Sequence, residues 1–448
     1  MRVPSHLWEQ LWPEVRRPGE HEPVVFGLVS HGVTPRGTII LVRELVMPPP
    51  TAFVRAAGHG AKWTGAYNIA LLNETLERGL GIVIFHYHPG RADVQFSGDD
   101  EASARQLLPA FQVVAPGRPH GSIVLGESSA TGLILLPNSS TLTGEISLRF
   151  FGDGNVVTFP RSKAKPEDLL LHRRQPLVAA AVSKSRLKDA TIAVVGLSGG
   201  GTQVATQLAA LGVGEIIGID AQRVTGDNLV ATDAFGWADI LLSRRKATAL
   251  RSKIWWINRR VRFTPVNALV PERPAIEALK RADAVIGCVN NLKSRADLQE
   301  IAWRYCIPYI DIGLGLYPLD PDDELSEIAA ISGNVFAAVP GGPCLWCTGF
   351  LTQEKLEKEA GNANRSYLRT TLSQNNRRPA AYVSSFNGVL AALAVSDALQ
   401  LLLGYAPSLS VRKQYDALSG TIAEIAVQKN PACPKCSDVL AAGEPLWQ

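Results

Sequence analysis

The chain has 448 residues, a formal net charge of +4 and a hydrophobic content of 46%. At about 100–200 residues per domain this length predicts two or three domains, and the composition predicts folded domains with sizeable cores. The small net charge, without a basic block that interleaves aromatic residues, disfavours a nucleic-acid-binding protein. The N-terminus lacks an apolar signal core and we find no run of about 18 apolar residues, so we expect a cytoplasmic protein without a membrane span.

The pattern of apolar residues predicts two domains of the α/β class. Residues 1–150 indicate a mixed α+β domain, and residues 151–185 a linker and N-terminal arm. From residue 186 to 448, strands alternate with helices, which is typical of a mainly parallel, Rossmann-like sheet with helices on both faces. The first-domain strands are expected at 24–31, 38–45, 81–88 and 121–127, with a helix at Ala66–Leu80.

The segment HYHPGRADVQFSGDD carries the first candidate site. His86 and His88 end an apolar strand, where alternate side chains point to the same face. Ser97 fits the N-cap of the following helix, which places Asp100 in its first turn. Two histidines and one aspartate form a plausible zinc shell with an open fourth position, and zinc can make a nucleophile available near neutral pH.

The joint spacing, HxHP followed after seven residues by SxxD, resembles that of the JAMM (JAB/MPN) zinc isopeptidases, which cleave after the C-terminus of ubiquitin or a ubiquitin-like protein. The resemblance covers roughly residues 10–145. It implies a catalytic zinc on His86, His88 and Asp100, with Ser97 polarising the tetrahedral intermediate. A glutamate that acts as general base is implied to be Glu22, just before an apolar strand. Glu44, on the next strand, is the alternative.

A glycine-rich turn in VVGLSGGGTQ carries the second candidate site. Gly196, Gly199 and Gly201 follow a strand and open a helix, where a tight turn lets the backbone approach phosphate oxygens. Asp220 ends the next strand, where a carboxylate can bond ribose hydroxyls. This pattern alone favours a NAD-dependent dehydrogenase and an adenylating enzyme equally.

The cysteines favour a structural metal site. Cys344 and Cys347 form one CxxC pair, and Cys433 and Cys436 form a second. Four thiolates in two such pairs are typical of a closed, tetrahedral zinc site. The other two cysteines, Cys288 and Cys306, are expected to be buried in the core.

Two features resemble ThiF-like adenylating and ubiquitin-activating enzymes: the paired cysteines and the segment IDAQRVTGDNL, which contains Asn228. The resemblance covers roughly residues 170–448 and also includes VSSFNGVLAALAVSDALQLLLG. It implies binding of ATP with Mg²⁺. The implied roles are phosphate binding by the glycine loop, ribose binding by Asp220 and triphosphate contact by Lys246, with Arg244 and Arg245 as neighbours that could be mistaken for it. Arg174 resembles an N-terminal arginine that reaches an ATP site, often across a dimer.

The chain departs from that family at two positions. An arginine usually follows the Asn-Leu pair, and here Ala231 takes its place. The magnesium-binding aspartate corresponds to Asn290, and an amide lacks the negative charge that a magnesium site prefers. We therefore expect weakened adenylation, unless another carboxylate such as Asp311 holds the metal.

Together these features lead to one main hypothesis and two alternatives. The main one is a bacterial ubiquitin-like pathway protein that cleaves after a ubiquitin-like C-terminus and also binds and adenylates it. The alternatives are a peptidase with a non-catalytic ThiF-like docking domain, and a protein that processes and activates a sulfur carrier. The expected partners are a ubiquitin-like protein, a conjugating-enzyme homologue and a second copy of the chain.

Overall fold

The computed structural model describes residues 1–18, 22–53, 63–89, 94–127, 129–144, 146–152, 155–159, 186–319, 327–370, 384–405, 409 and 411–444. The chain divides into two compact units. Unit 1 comprises Met1–Lys163, Arg304–Cys306 and Asp438–Gln448, and unit 2 comprises Ala164–Trp303 and Ile307–Ser437. The first unit thus differs from the predicted range 1–150, because it also takes in two short segments from much later in the chain.

Unit 1 is built on a nine-stranded sheet of order β7-β6-β5-β4-β2-β3-β1-β8-β9. The strands are β1 Arg2–Val3, β2 Val24–Thr34, β3 Gly37–Val46, β4 Gly81–Tyr87, β5 His120–Leu125, β6 Ala130–Leu135, β7 Leu142–Thr143, β8 Leu148–Gly152 and β9 Asn155–Phe159. The helices are α1 Ser5–Val15, α2 Gly65–Arg78 and α3 Gly98–Val114, with a 3-10 turn at Pro50–Ala52. Strand β9 lies in the range predicted to be linker, because its residues extend the sheet by pairing with β8.

Alternation along β4 divides its side chains between two hydrophobic cores. Val83 and Phe85 pack with α1 on one face, whereas Ile82 and Ile84 pack with α2 and α3 on the other. Side chains alternate along a strand, so His86 lies on the same face of β4 as Ile82 and Ile84. This face is covered by α3. The period of two therefore places this histidine on the same side as the start of that helix.

Unit 2 contains an eight-stranded sheet of order β12-β11-β10-β13-β14-β15-β16-β17. Its strands are β10 Thr191–Val195, β11 Glu215–Ile219, β12 Arg262–Val266, β13 Ala284–Gly287, β14 Tyr309–Pro318, β15 Ile328–Ala338, β16 Arg412–Asp416 and β17 Thr421–Ile425. Its described helices are α4 Gly199–Leu211, α5 Gly226–Ala231, α6 Trp237–Leu241, α7 Lys246–Ile257, α8 Arg273–Leu279, α9 Leu292–Arg304, α10 Gln353–Thr370, α11 Ser384–Leu403 and α12 Pro434–Ser437. Strands β12, β11, β10, β13 and β14 are neighbours in this order, and each pairs parallel with the next. Strands β15, β16 and β17 follow β14 in the sheet, and each pairs antiparallel with the strand before it. The Rossmann-like α/β class predicted from the sequence is confirmed, as a mixed sheet.

Helix α11 is long and apolar enough to cross a membrane, by length and composition alone. Its length and its mean hydropathy of 1.6 would suit a span, and 56% of that window is buried within the protein. The helix packs against α4 and β14. These contacts make α11 a core helix of unit 2. A buried core helix can be as apolar as a membrane-spanning helix.

Candidate nucleotide site and metal centres

The glycine loop joins β10 to α4 at the carboxyl end of the parallel strands. Gly196 has φ +86°, a left-handed conformation that favours glycine. A Cβ on Gly201 would lie 1.8 Å from the carbonyl oxygen of Gly196, so only glycine fits there. The Ser198 side chain makes no capping hydrogen bond to the start of α4. The loop thus brings backbone donors to a helix N-terminus, an arrangement that attracts phosphate.

Asp220 fixes the shape of this loop. One carboxylate oxygen, Oδ2, accepts a hydrogen bond from the backbone N–H of Leu197 at 2.8 Å, and Oδ1 accepts one from Gln222 N–H at 2.7 Å. The residue follows β11, next to β10, which places its carboxylate beside the loop. Asp220 therefore lies where the sequence predicts a ribose contact and also orders the phosphate loop.

Lys246 differs from its two basic neighbours. It is 5% exposed, and its Nζ donates to Gln222 Oε1 at 2.8 Å. Burial lowers the pKa of Lys246, and the nearby carboxylate of Asp220 opposes that shift. Arg244 and Arg245 are exposed, and Arg244 pairs with Asp239. Of the three basic residues, Lys246 is the one placed beside Asp220.

Asn228 connects the neighbouring helix to the loop. Its Oδ1 accepts a hydrogen bond from Thr225 N–H at 2.9 Å, and its Nδ2 lies 3.4 Å from Ser198 Oγ. Ala231 ends this short helix and is fully buried. Asn228 thus orders the loop through Ser198. The position where ThiF-like enzymes usually carry an arginine is occupied here by Ala231.

A cavity opens between the glycine loop and the ends of β13 and β14. Its described lining is Ser198, Gly199, Gly200, Cys288, Val289, Asn290, Arg295, Ile312, Gly313, Leu314, Asn387 and Leu390. Asn290 therefore lines this cavity. None of these described lining residues carries a carboxylate.

Both carboxylate oxygens of Asp311, the alternative magnesium ligand, are engaged by neighbouring side chains. The residue is 3% exposed, its Oδ2 pairs with Arg295 and its Oδ1 accepts a hydrogen bond from Tyr309 Oη at 2.7 Å. Burial raises the pKa of Asp311, and the Arg295 guanidinium opposes that shift. The carboxylate serves as the partner of a buried arginine, so the alternative in which it holds magnesium is disfavoured.

The two unpaired cysteines lie in different environments. Cys306 is fully buried, as expected for a core residue. Cys288 instead lines the cavity, and burial together with the nearby Asp311 carboxylate strongly raises the pKa of its thiol. A protonated thiol is a poor nucleophile, so neither cysteine is suited to forming a thioester.

The four paired cysteines converge in unit 2. Cys436 Sγ lies 3.1 Å from Cys344 Sγ and 3.4 Å from Cys347 Sγ, and Cys344 Sγ lies 3.8 Å from Cys433 Sγ. The hydrogen bond from Cys436 lowers the pKa of the Cys344 thiol to about 6. Four clustered sulfur atoms, one of them readily ionised, fit a structural zinc ion.

The predicted metal-binding residues of unit 1 also come together. One ligand atom each from Glu22, His86 and His88 lies within 4.8 Å of the others. Asp100 completes the cluster, with Oδ1 3.4 Å from His86 Nε2 and Oδ2 3.3 Å from His88 Nε2. His86 Nε2 is buried and makes no hydrogen bond to the described chain, which leaves a lone pair for a metal ion. Two histidines and the Asp100 carboxylate are donors of the kind that zinc takes in a site with three protein ligands, and Glu22 lies beside them.

Register and capping explain how this cluster forms. Val24 pairs with His86 across antiparallel strands, so the chain before Val24 runs alongside His88 and brings Glu22 to it, with Glu22 Oε1 3.6 Å from His88 Nε2. Ser97 is the N-cap of α3 in a capping box, and its Oγ donates to Asp100 Oδ2 at 2.6 Å. The geometry of Ser97 shows that it positions Asp100.

Burial shapes the ionisation of both carboxylates. Burial raises the pKa of Glu22, as does the nearby Asp100, while His86 opposes the shift. For Asp100 burial acts in the same direction, but contacts with His86 and hydrogen bonds from Ser97 outweigh it and hold the pKa well below its usual range. The two carboxylates thus differ, with Asp100 the more readily ionised.

The alternative base, Glu44, lies elsewhere in unit 1. Its Oε2 pairs with Arg78 Nη2 at 2.6 Å on an exposed surface. Geometry therefore favours Glu22 over Glu44. Arg174, the predicted nucleotide-binding arginine of the N-terminal arm, lies outside the described residues.

Comparison with known families identifies the second part of the chain. The model of the ThiF family matches residues 172–435. The chain belongs to the ThiF family. The match covers the glycine loop, the cavity and all but the last cysteine of the sulfur cluster, so unit 2 is the ThiF domain, and the dehydrogenase alternative is excluded.

Similar proteins include two that are named as adenylyltransferases. Escherichia coli molybdopterin-synthase adenylyltransferase is 24% identical over 277 residues, covering 60% of this chain and 97% of that protein. The sulfur carrier protein ThiS adenylyltransferase of E. coli is 23% identical, covering 60% of this chain and 95% of that protein. The SAMP-activating enzyme E1 of Haloferax volcanii is 25% identical over 57% of this chain and 83% of that protein. Crystal structures of E. coli MccB are also similar, one with a TM-score of 0.48 at 19% identity over 65% of this chain and 77% of that one.

Three residues of the nucleotide site escaped sequence analysis. Gln222 holds Lys246, Arg295 pairs with Asp311, and Asn387 lines the cavity from helix α11. Gln222 and Asn387 lie in segments that resemble ThiF-like enzymes, whereas Arg295 lies in none of the motifs singled out from the sequence. The one signal for Asn387 was its place in the segment that resembles the last core helix of ThiF-like enzymes.

Proposed function

We propose that unit 2 is an adenylyltransferase that uses ATP to activate the C-terminal carboxylate of a small ubiquitin-like or sulfur carrier protein. In this reaction a carboxylate oxygen bonds to the α-phosphorus of ATP, and the bond to the leaving pyrophosphate breaks. The observation that carries the proposal is the glycine loop ordered by Asp220 beside a cavity, within a ThiF domain. The adenylyltransferase names of the relatives support it.

Several residues of this chain have roles in that reaction. The N–H groups of the glycine loop and the start of α4 would bind phosphate oxygens. The Lys246 ammonium, directed by Gln222, would neutralise charge on the triphosphate. Asp220 would hold the ribose while ordering the loop. Magnesium, when bound with ATP, neutralises charge on the pyrophosphate, and Asn290 would contribute only an amide to its surroundings.

The relatives favour activation of a sulfur carrier, which the sequence suggested as an alternative, over conjugation to other proteins. Two of them are named for molybdopterin synthase and for the sulfur carrier ThiS. Neither cysteine outside the sulfur cluster is suited to forming a thioester, so the acyl-adenylate would pass directly to a partner's nucleophile. A homodimer, a conjugating-enzyme partner and a cytoplasmic location remain parts of this proposal.

Isotope exchange between pyrophosphate and ATP tests the proposal. E. coli ThiS and any ubiquitin-like protein encoded beside this chain serve as acyl substrates. Exchange that requires the carrier and its free C-terminal carboxylate would support adenylation. Absence of exchange with every carrier, while ATP still binds, would instead favour the non-catalytic docking domain.

A second function is favoured by the cluster in unit 1. We propose that His86, His88 and Asp100 hold zinc for an isopeptidase or peptidase of JAMM type, with Glu22 as general base. A zinc ion held there would supply Lewis-acid polarisation of the scissile carbonyl. Glu22 would accept a proton from the attacking water and return it to the leaving nitrogen. Ser97 would position Asp100 through its hydrogen bond and would also polarise the tetrahedral intermediate.

Metal analysis and a cleavage assay test this second function. The double variant His86→Ala, His88→Ala should lose one equivalent of zinc and all cleavage of a ubiquitin-like fusion, while Cys344, Cys347, Cys433 and Cys436 keep the second equivalent. The unaffected thiol site is the internal control for folding. Zinc content equal to that of the unaltered protein would contradict the proposed metal centre.

A further inference from the structure

The cavity beside the glycine loop contains a polar group without a partner. Asn387 lines this cavity from helix α11, and its amide nitrogen Nδ2 is buried yet makes no hydrogen bond within the described chain. A buried N–H without an acceptor costs about 1–3 kcal/mol. A ligand with an acceptor atom in the cavity would remove that cost.

Helix packing fixes Asn387 in this position. Gln203 Nε2, on α4, donates to the carbonyl oxygen of Ser384 at 2.9 Å and to its hydroxyl at 3.1 Å, one turn before Asn387. Farther along the helix Leu390 fills the space above Gly333, where a Cβ would lie 2.6 Å from Leu390 Cδ2. These two contacts position the helix segment that carries Asn387.

The rest of the lining favours an anion. The start of α4, at Gly199 and Gly200, supplies a helix N-terminus, whereas the charge of the Arg295 guanidinium is paired with that of Asp311. None of the described lining residues is acidic.

Two glycines of the lining lie close to their neighbours. A Cβ on Gly200 would lie 3.2 Å from Ile312 Cδ1, and one on Gly313 would lie 2.7 Å from Arg295 Nη2. A larger residue at either position would press on Ile312 or Arg295.

We propose that Asn387 is a positioning residue that donates its Nδ2–H to the terminal carboxylate of the acyl substrate. This inference rests on the proposed adenylation by unit 2. The bond would hold one carboxylate oxygen while the other faces the glycine loop and its nucleotide. Asn387 would thereby favour a free carboxylate over an amide, because a hydrogen bond to a charged carboxylate oxygen is stronger than one to a neutral amide oxygen.

Ligand-observed NMR titration tests this with two matched probes, acetyl-Gly-Gly and acetyl-Gly-Gly-amide. We expect the unaltered protein to bind the carboxylate roughly tenfold more tightly than the amide, a ratio that Asn387→Leu and Asn387→Ala should reduce to near one. Ser385→Ala, at an exposed neighbour on the same helix, should keep the ratio, and ATP affinity should stay unchanged in all variants.

Three results would overturn the inference: no preference for the carboxylate in the unaltered protein, a ratio unchanged in both Asn387 variants, or weakened ATP binding in place of weakened carboxylate binding. A merely structural role would lower the affinity for both probes alike and leave the ratio intact. Pyrophosphate exchange is measured separately. A carboxylate preference that depends on Asn387, without exchange, would reject adenylation and keep the binding role.

Discussion

Asp220 and Leu197 are joined by a hydrogen bond of 2.8 Å between the aspartate Oδ2 and the backbone N–H of the glycine loop. This bond links the end of one parallel strand to the loop that follows its neighbour. The residue expected to contact ribose thus also orders the backbone of the glycine loop.

Asp220→Asn should weaken nucleotide binding. The asparagine has one acceptor oxygen, so it cannot accept from both Leu197 N–H and Gln222 N–H, and its NH₂ group would face a donor. We expect affinity for a non-hydrolysable ATP analogue to fall roughly tenfold in calorimetric titration, as for loss of a charge-assisted hydrogen bond. Asp233→Asn is the matched control, because its side chain is 81% exposed in an ion pair with Lys253. Equal affinities in the two variants would contradict the role given to Asp220.

Glu22→Gln should abolish peptidase turnover and leave zinc bound. The general base acts on the attacking water, so loss of its charge should lower the cleavage rate by about 10²–10⁴ while the histidines keep the metal. Glu44→Gln is the matched control, since Glu44 pairs with Arg78 on the exposed surface and such pairs contribute little. Cleavage by the Glu22 variant, with inactivity of the Glu44 variant, would show that the base is misassigned.

Asn290→Asp should raise pyrophosphate exchange more than it raises ATP affinity. The new carboxylate would enter a cavity whose described lining has none, and charge on the leaving pyrophosphate grows toward the transition state. Asn291→Asp is the control, because the Asn291 Oδ1 already accepts from Ser294 N–H at the start of α9. If neither variant changes the exchange rate, Asn290 does not limit adenylation.

Replacing Cys433 and Cys436 with serine should remove one equivalent of zinc and destabilise unit 2. The cluster joins residues 89 positions apart, Cys344 with Cys433 and Cys347 with Cys436, and metal binding contributes directly to folding. Each kcal/mol lost lowers Tm by about 2–4 °C in a domain of this size, so we expect a drop of several degrees in calorimetry. Cys306→Ala, outside the cluster, should keep both zinc equivalents. Normal zinc content in the double serine variant would contradict a structural zinc site.

Local sequence rules predicted much of the unit 1 cluster. Strand alternation placed His86 and His88 on one face, and the capping pattern placed Asp100 in the first turn of the following helix. The convergence of Glu22 on His88 depends on the register of β2 with β4, which the sequence does not specify. Only the family resemblance suggested Glu22, and only the geometry separates it from Glu44.

The nucleotide site was less predictable because long-range packing forms it. Asn387 reaches the cavity through packing of α11 on α4, between residues nearly two hundred positions apart in sequence. Asp311 lies within β14, where Arg295 and Tyr309 engage its carboxylate. Cys288 has the apolar flanks of a core residue, and the bend at Gly196 leaves it at the cavity. Such placements depend on tertiary contacts that no local pattern records.

Intact mass spectrometry of the ubiquitin-like protein encoded beside this chain tests the central claim most directly. The carrier is incubated with the zinc-loaded protein, with and without ATP and magnesium, and with the Asp220→Asn variant as control. The account predicts that ATP adds the mass of one adenylyl group to the carrier, that its free C-terminal carboxylate is required, and that the Asp220 variant adds far less. A carrier whose mass stays unchanged in the presence of ATP, while the protein binds both ATP and carrier, would contradict adenylation by unit 2.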